Sequence, residues 1–329
     1  MEQLQLETAA FEGKSNAYLL GLEEDAPTTL IDTGIAAEPV EQELRTSLQE
    51  RGVTFETIDH VMLTHFHYDH SGLAGAIQAA SGATVFAHPA DAALVGPGRA
   101  ARELTSGYRE KFEQWGIPET ARTELVAFLE ANAALAGESL DVSPFRPGDV
   151  RHIGDRTIEA IHLPGHTRGH LGYAIGDGEL ISGDALLPEY TPNIGGADVR
   201  VEHPLETYLR TLQTIVDRAD TVVWPGHRGR IDDPISRAEA ICAHHRDRLE
   251  RVVAVLEERE SADVWTVSAA LFGSLSGIHI LHGPGEAFAH LDHLACHGIV
   301  EERGGEYRLG NATVDAATLV PALTERKSR

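Results

Sequence analysis

Lysine is nearly missing from this chain. Of 27 basic residues in 329, three are lysines (Lys14, Lys111 and Lys327), against 51 acidic residues and a formal net charge of −24. An acid-rich, lysine-poor surface suits solubility in concentrated salt, so a halophilic source is expected. At molar salt the Debye length falls to about 3 Å, and the net charge then does not by itself exclude an anionic substrate. Cysteine is as scarce. Cys242 and Cys296 match no zinc spacing and sit in apolar, helix-like patterns, so two buried free thiols are expected. No apolar run approaches the roughly 20 residues of a membrane span. Met1-Glu2-Gln3-Leu4 lacks the basic and apolar regions of a secretion signal. A cytoplasmic protein without a membrane partner is the expectation. The hydrophobic fraction of 42% excludes wholesale disorder, and the length allows one large domain plus a small one.

Histidine, by contrast, is abundant and clustered. The stretch His65-Phe66-His67-Tyr68-Asp69-His70 follows the apolar run His60-Val61-Met62-Leu63-Thr64. Imidazole and carboxylate donors packed this closely suit a borderline divalent ion such as zinc. At strand-like spacing His65 and His67 point the same way. A turn then carries Asp69 and His70 to a second position, so one loop can serve two metal sites. Three further short motifs each follow an apolar run that reads as a strand. They are Leu163-Pro164-Gly165-His166-Thr167, Leu180-Ile181-Ser182-Gly183-Asp184, and Val222-Val223-Trp224-Pro225-Gly226-His227. Each places a glycine just before the candidate ligand, as a tight turn with close backbone approach needs.

Together, in this order, the four motifs resemble the pattern of the metallo-β-lactamase superfamily, from about Leu4 to Arg230. The resemblance implies an α/β four-layer αββα sandwich with a metal centre at one edge of its two sheets. It implies that His65, His67 and His166 hold a first ion, that Asp69, His70 and His227 hold a second, and that Asp184 bridges both. The cofactor expected is a pair of divalent metal ions, with Zn2+ the default and Mn2+ or Fe2+ fitting nearly as well. Without a cysteine ligand, the set resembles the glyoxalase II, lactonase and nuclease branches and argues against β-lactam hydrolysis. Asp32, in Asp32-Thr33-Gly34, lies close to the metal loop in the family and is expected to orient a ligand histidine. Gly165 to His170 resembles the family's Gly-His-Thr-x-Gly-His, which places Arg168 and His170 near the site rather than among the ligands.

Periodicity predicts helices over Glu38–Arg51, Gly72–Ala80, Arg99–Trp115, Pro118–Ala136 and His203–Ala219. His88 is read as structural. The segment between Pro97 and Pro147 exceeds what a minimal sandwich needs and is read as a helical cap over 97–147. Tyr108, Phe112 and Trp115 share one face, and Tyr108 and Arg109 become candidates to touch substrate. The proline-rich run Leu186 to Asn193 is expected to loop over the metals, with Tyr190 or Asn193 able to polarise a substrate carbonyl.

From about Pro234 the character changes. Ser236–Glu260, Val267–Leu271 and Glu286–His297 read as helices, and Glu301–Leu309 as a hairpin with a Gly-Gly turn. Helix, helix, helix, hairpin is a winged-helix order, so residues 1–233 are expected to form the hydrolase domain and 234–329 a small winged-helix domain. Its reading helix offers Glu286, His290, Asp292 and His293 where phosphate contact needs positive charge. Packing or formation of a homodimer is therefore favoured over nucleic-acid binding. The leading expectation is a dinuclear metal-dependent hydrolase of a small ester, thioester or lactone, acting through a metal-bound hydroxide that Asp69 orients. The rivals are a metal-dependent nuclease or phosphodiesterase and a mononuclear iron persulfide dioxygenase.

Overall fold

Side-chain alternation along short strands decides the layers. The computed structural model describes residues 1–8, 13–96, 108–176, 178–311, 316–320 and 322–323. The first sheet has six strands in chain order: β1 Glu2–Thr8, β2 Gly13–Leu20, β3 Thr29–Ile31, β4 His60–Met62, β5 Thr84–Ala87 and β6 Val142–Pro144. β1, β2 and β3 pair antiparallel, and β3 to β6 run parallel. In this sheet Leu30, Val61 and Val85 point to a cluster with Val40, Leu44 and Leu48 of helix α1 (Glu38–Gln49). Their neighbours Ile31, Met62 and Phe86 point the other way, onto Ile158, Tyr173 and Ile181 of the second sheet. That period of two is what a strand buried on both faces requires.

The second sheet has order β11-β10-β9-β8-β7, with β7 Val150–Ile153, β8 Arg156–His162, β9 Leu171–Ile175, β10 Glu179–Gly183 and β11 Val222–Pro225. Only β10 and β11 are parallel. On its outer face Leu180 and Val223 join a third cluster with Leu205, Tyr208 and Leu212 of α7 (Pro204–Arg218). Three apolar interfaces thus separate four layers, helix, sheet, sheet, helix. The expected αββα sandwich is present.

The remaining helices are α2 Tyr68–Ser71, α3 Ala74–Ser81, α4 Pro89–Ala92, α5 over 108–114, α6 Glu119–Asn132, α8 Pro234–Arg259, α9 Val264–Phe272 and α10 His279–Cys296. A hairpin of β12 Val300–Arg303 and β13 Glu306–Leu309 closes the C-terminal part. Asp233 and Asp263 cap α8 and α9 by accepting from Ser236 and Thr266 N–H. Buried residues of α8, α9 and α10 belong to the same cluster as α7 and the second sheet.

Several boundaries differ from expectation. Helical backbone begins at Tyr68, inside the histidine motif, and not at Gly72. α10 starts seven residues before Glu286 and runs through Pro284. Glycine and proline disfavour a helix interior, but burial wins: Ile280, Leu281 and Ala287 are all enclosed. Of the predicted Arg99–Trp115 helix, 97–107 lies outside the described residues. Cys242 is buried as expected, whereas Cys296 is exposed, because it ends α10 where the helix runs out to solvent. No helix among the described residues is long and apolar enough to cross a membrane.

Candidate metal centre

The ligand candidates converge because strand ends converge. Asp32 follows β3, His65 and His67 follow β4, Asp184 follows β10 and His227 follows β11. These are the carboxyl ends of parallel neighbours, where sheets leave a crevice. The two sheets are tied at this edge: Asn16 N–H donates to the Gly226 carbonyl at 2.7 Å, and Asn16 Nδ2 to the Pro225 carbonyl at 2.8 Å.

Each imidazole is anchored through one nitrogen and presents the other. His70 Nδ1 donates to Asp32 Oδ2 at 2.9 Å. His65 Nδ1 donates to Thr64 Oγ1 at 3.0 Å, and the Thr64 hydroxyl donates on to Asp32 Oδ2 at 2.8 Å. His67 Nε2 donates to the Ala197 carbonyl, His166 Nδ1 to the Asn193 carbonyl, and His227 Nδ1 to the Lys14 carbonyl, at 2.9 to 3.0 Å. Fixing one ring nitrogen on an acceptor sets the tautomer of the other.

The free atoms form groups. His65 Nε2 and His166 Nε2 lie 2.9 and 3.0 Å from His67 Nδ1. Asp69 Oδ2 lies 3.4 Å from His227 Nε2 and 3.7 Å from His70 Nε2. Asp184 stands between the groups, 3.6 Å from His70, 3.6 Å from His166 and 3.5 Å from His227. The donors of His65, His67 and His166 all lie within 4.8 Å of one another, as do those of Asp69, His70 and His227. His70 Nε2, His227 Nε2 and Asp184 Oδ1 are buried with no hydrogen-bond partner among the described residues. Buried polar atoms left open and facing one another, all of nitrogen or carboxylate type, fit two divalent ions.

The electrostatics divide the same way. Burial pushes His65 well below its ordinary range, aided by the surrounding imidazoles. Burial, with His166, lowers His67 to about 4, and burial lowers His166 too. These rings are neutral, with lone pairs available. In the other group burial opposes charge, but Asp69, Asp184 and Asp32 raise His70 to about 9, and Asp184 with Asp69 raises His227 to about 11. Burial likewise opposes ionisation of Asp69 and Asp184, yet His70 and His227 hold both well below the carboxylate range. The ion-free second group is therefore a set of buried imidazolium–carboxylate pairs, and metal entry must release protons.

Two glycines make the geometry possible. Gly183 has φ +50°, and a Cβ there would lie 2.8 Å from His170 Nε2. At Gly226 a Cβ would fall 2.2 Å from Asp184 Oδ1 and 2.8 Å from His70 Cε1. His170 itself sits behind the ligands, accepting from the Asp184 N–H at 3.0 Å. The Arg168 side chain is exposed and away from the cavity, and so is that of Arg109. Arg168 contributes its N–H to Asp198 and its carbonyl to His162. His88 caps α4, accepting from the Ala90 N–H at 3.1 Å.

The centre opens into a cavity of about 820 Å³. Tyr108, Tyr190 and Asn193 line it, together with Phe128 and Leu129 of α6. The Asn193 side-chain amide donates to the His282 carbonyl. Sequence reading missed Thr64, the carbonyls of Lys14 and Ala197, and a buried network below the His166 loop. In that network Asp91 accepts from Thr167 Oγ1 and Gly169 N–H, and Arg200 pairs with Asp91 and Asp198 at 3.0 and 2.6 Å. Main-chain acceptors carry no sequence signal, and Asp91, Asp198 and Arg200 form no local motif. Nor did sequence mark His244, Arg248, Phe272 and Glu286 of the C-terminal helices as cavity wall.

A sandwich of this topology, with paired His/Asp clusters at the strand ends, defines a metal-dependent hydrolase with a dinuclear site. The chain belongs to the metallo-beta-lactamase superfamily, whose model matches residues 10–227. It is 27% identical over 276 residues to the probable metallo-hydrolase YqjP of Bacillus subtilis strain 168, covering 80% of this chain and 83% of that protein. It is also 27% identical over 267 residues to the beta-lactamase-like protein 2 homolog of Drosophila melanogaster, covering 76% and 70%. Among solved structures it is similar to a metallo-beta-lactamase family protein from Thermus thermophilus. That match has 29% identity and TM-score 0.80 and covers 94% of this chain and 98% of that one.

Proposed function

We propose that the protein hydrolyses a small ester, thioester or lactone. One observation carries this reading: a single cavity of about 820 Å³ is walled at one place by Asp69, His166, Asp184 and His227 and elsewhere by Phe66, Phe128, Leu129, Leu275 and Ile278. Its volume suits a small molecule, and its apolar lining suits a carbonyl compound with an apolar body better than a polyanionic phosphodiester chain. His65, His67 and His166 would hold one ion and Asp69, His70 and His227 the other, with Asp184 shared. Zinc is the ion we propose for this donor set. Bound there, two divalent ions lower the pKa of water and polarise a carbonyl oxygen. The chain's own groups do the rest. Asp69, ionised and acceptor-only, orients the attacking water and then carries a proton toward the leaving group. Asp32 and Thr64 lock the ring orientation of His70 and His65. Tyr190 and Asn193 border the place where the carbonyl lies.

We propose that the segment from 234, winged-helix-like in its order of elements, is a packing module and not a nucleic-acid reader. Supporting this, Glu286, His290 and His293 are buried, at 7%, 0% and 1% exposure. We keep a cytoplasmic location and a halophilic source as proposals from composition. The test is metal content by mass spectrometry in high salt, with turnover on a panel of esters, thioesters, lactones and a chromogenic phosphodiester. Two ions per chain with carboxyl-ester or thioester turnover is expected. Phosphodiester turnover above all carbonyl substrates would overturn the reading.

A further inference from the structure

Arg248 is a charged feature of the cavity that hydrolysis of a neutral ester leaves unused. It lies on α8, is 8% exposed, and lines the same cavity as the metal centre. Its Nε and Nη1 have no hydrogen-bond partner among the described residues. Its guanidinium stacks on Phe272, with Cζ 4.6 Å from the ring centroid, and makes no ion pair among the described residues. Glu286 of α10 is the nearby acid: the Arg248 charge pulls its pKa down against burial, yet the two form no ion pair among the described residues. A buried cation with open donors costs several kcal/mol unless something answers it, and the Arg248 side chain that carries them lies in the cavity wall.

The surroundings decide the sign and size of the missing group. His244, His245 and Glu286 form a possible metal-ligand trio. Burial and the Arg248 charge both keep His244 and His245 unprotonated, and the same charge repels a cation. One guanidinium balances one negative charge, and Glu286 alongside disfavours a dianion. A carboxylate is planar and matches a guanidinium edge. The cavity that Arg248 shares with the metal centre is lined also by the apolar side chains of Phe128, Leu275 and Ile278, with His279 and His282 beside them.

We infer that Arg248 anchors a remote carboxylate of the substrate, so that the preferred substrate class is the monothioester or monoester of an α,ω-dicarboxylic acid. This rests on the hydrolase reading and narrows it. Arg248 is a specificity residue: it meets the far end of the acyl chain and takes no part at the reacting carbonyl.

The test is binding, read without turnover. The metal-loaded protein is titrated by calorimetry with C5 to C8 α,ω-diacids and with monoacids of equal length. Both series offer one carboxylate to the metals, and only the diacids offer a second. At one length the diacid is expected to bind about ten- to a hundredfold tighter, the range of a charge-assisted hydrogen bond. The margin should vanish in Arg248→Gln and return in part in Arg248→Lys, which keeps the buried charge if the Gln variant folds poorly. Equal binding of both series to the wild type, or a margin that survives in Arg248→Gln, overturns the inference. A phosphonate-ended monoacid that binds tighter than every diacid overturns the assignment to carboxylate. The two readings fail separately. Turnover of neutral acyl thioesters with no diacid margin sinks the anchor and keeps the hydrolase. A diacid margin with no turnover of any carbonyl substrate sinks the hydrolase and keeps the anchor.

Discussion

Replacing Asp32 with asparagine changes one atom and tests the logic of the whole centre. Asp32 is 1% exposed and accepts three bonds: Thr64 N–H at 2.8 Å, Thr64 O–H at 2.8 Å and His70 Nδ1–H at 2.9 Å. An amide cannot accept all three. With its oxygen on the Thr64 N–H, its NH2 faces His70 Nδ1–H, and two donors collide. Relief comes when His70 gives up its Nδ1 proton and holds its remaining proton on Nε2, the atom that faces Asp69 and Asp184. A ligand lone pair is then lost. Turned the other way, the amide sets its NH2 against the Thr64 N–H, again donor on donor. Removing a partner behind a metal ligand typically weakens metal binding by about 10–100-fold. We expect that loss on one of the two ions in Asp32→Asn, measured by competition with a chromophoric chelator. Asp32→Ala leaves the buried donors open and should destabilise the ion-free fold by about 3–5 kcal/mol. Thermal melts in chelator separate the two effects. If Asp32→Asn binds both ions as tightly as the wild type with the fold intact, the proposed tautomer control is wrong.

Three more outcomes are expected. Gly226→Ala places a methyl 2.2 Å from Asp184 Oδ1 and so should displace the shared carboxylate; metal content below two per chain with an unchanged circular dichroism spectrum is the expected result. Burial raises Glu286 from 4.5 to about 7 despite the opposing pull of Arg248. The folded state therefore holds this proton more tightly than the unfolded state. The carboxyl costs nothing below pH 4.5, its ionisation penalises folding increasingly between pH 4.5 and 7, and the penalty is complete above pH 7. Glu286→Gln should thus gain melting temperature relative to the wild type on going from about pH 5 to about pH 8, and an equal difference at both pH values would refute this. Stripping the ions with a chelator should lower the melting temperature, since ligand at a hundred times its dissociation constant stabilises by about 2.7 kcal/mol; identical melts with and without chelator would contradict metal binding to the folded state.

How much of this was legible in advance follows from what is local. The apolar runs at Leu30-Ile31 and Val61-Met62 mark strands, and the structure sends the neighbouring side chains to opposite interfaces. The spacing of His65, His67, Asp69 and His70 announces a two-site loop, because donor chemistry and strand geometry act over a few residues. Gly183 and Gly226 could be read as tight approaches because only glycine fits there. Pro284 shows the converse. Its local preference ends helices, but enclosure of Ile280, Leu281 and Ala287 outweighs that preference, and no window of sequence contains the neighbours that do the enclosing.

Sequence by itself therefore determined the donor residues and their order along the chain, since both depend on covalent spacing and side-chain chemistry, while the layer pattern was read through the family resemblance those motifs carry. Tertiary structure alone decided which nitrogen of each histidine faces the centre. It set that choice with acceptors as remote as the carbonyls of Lys14, Asn193 and Ala197. It alone brought Arg248 and Glu286 of the C-terminal helices to the wall of the same cavity. Main-chain carbonyls are identical at every residue, and a buried charge declares itself only through what surrounds it.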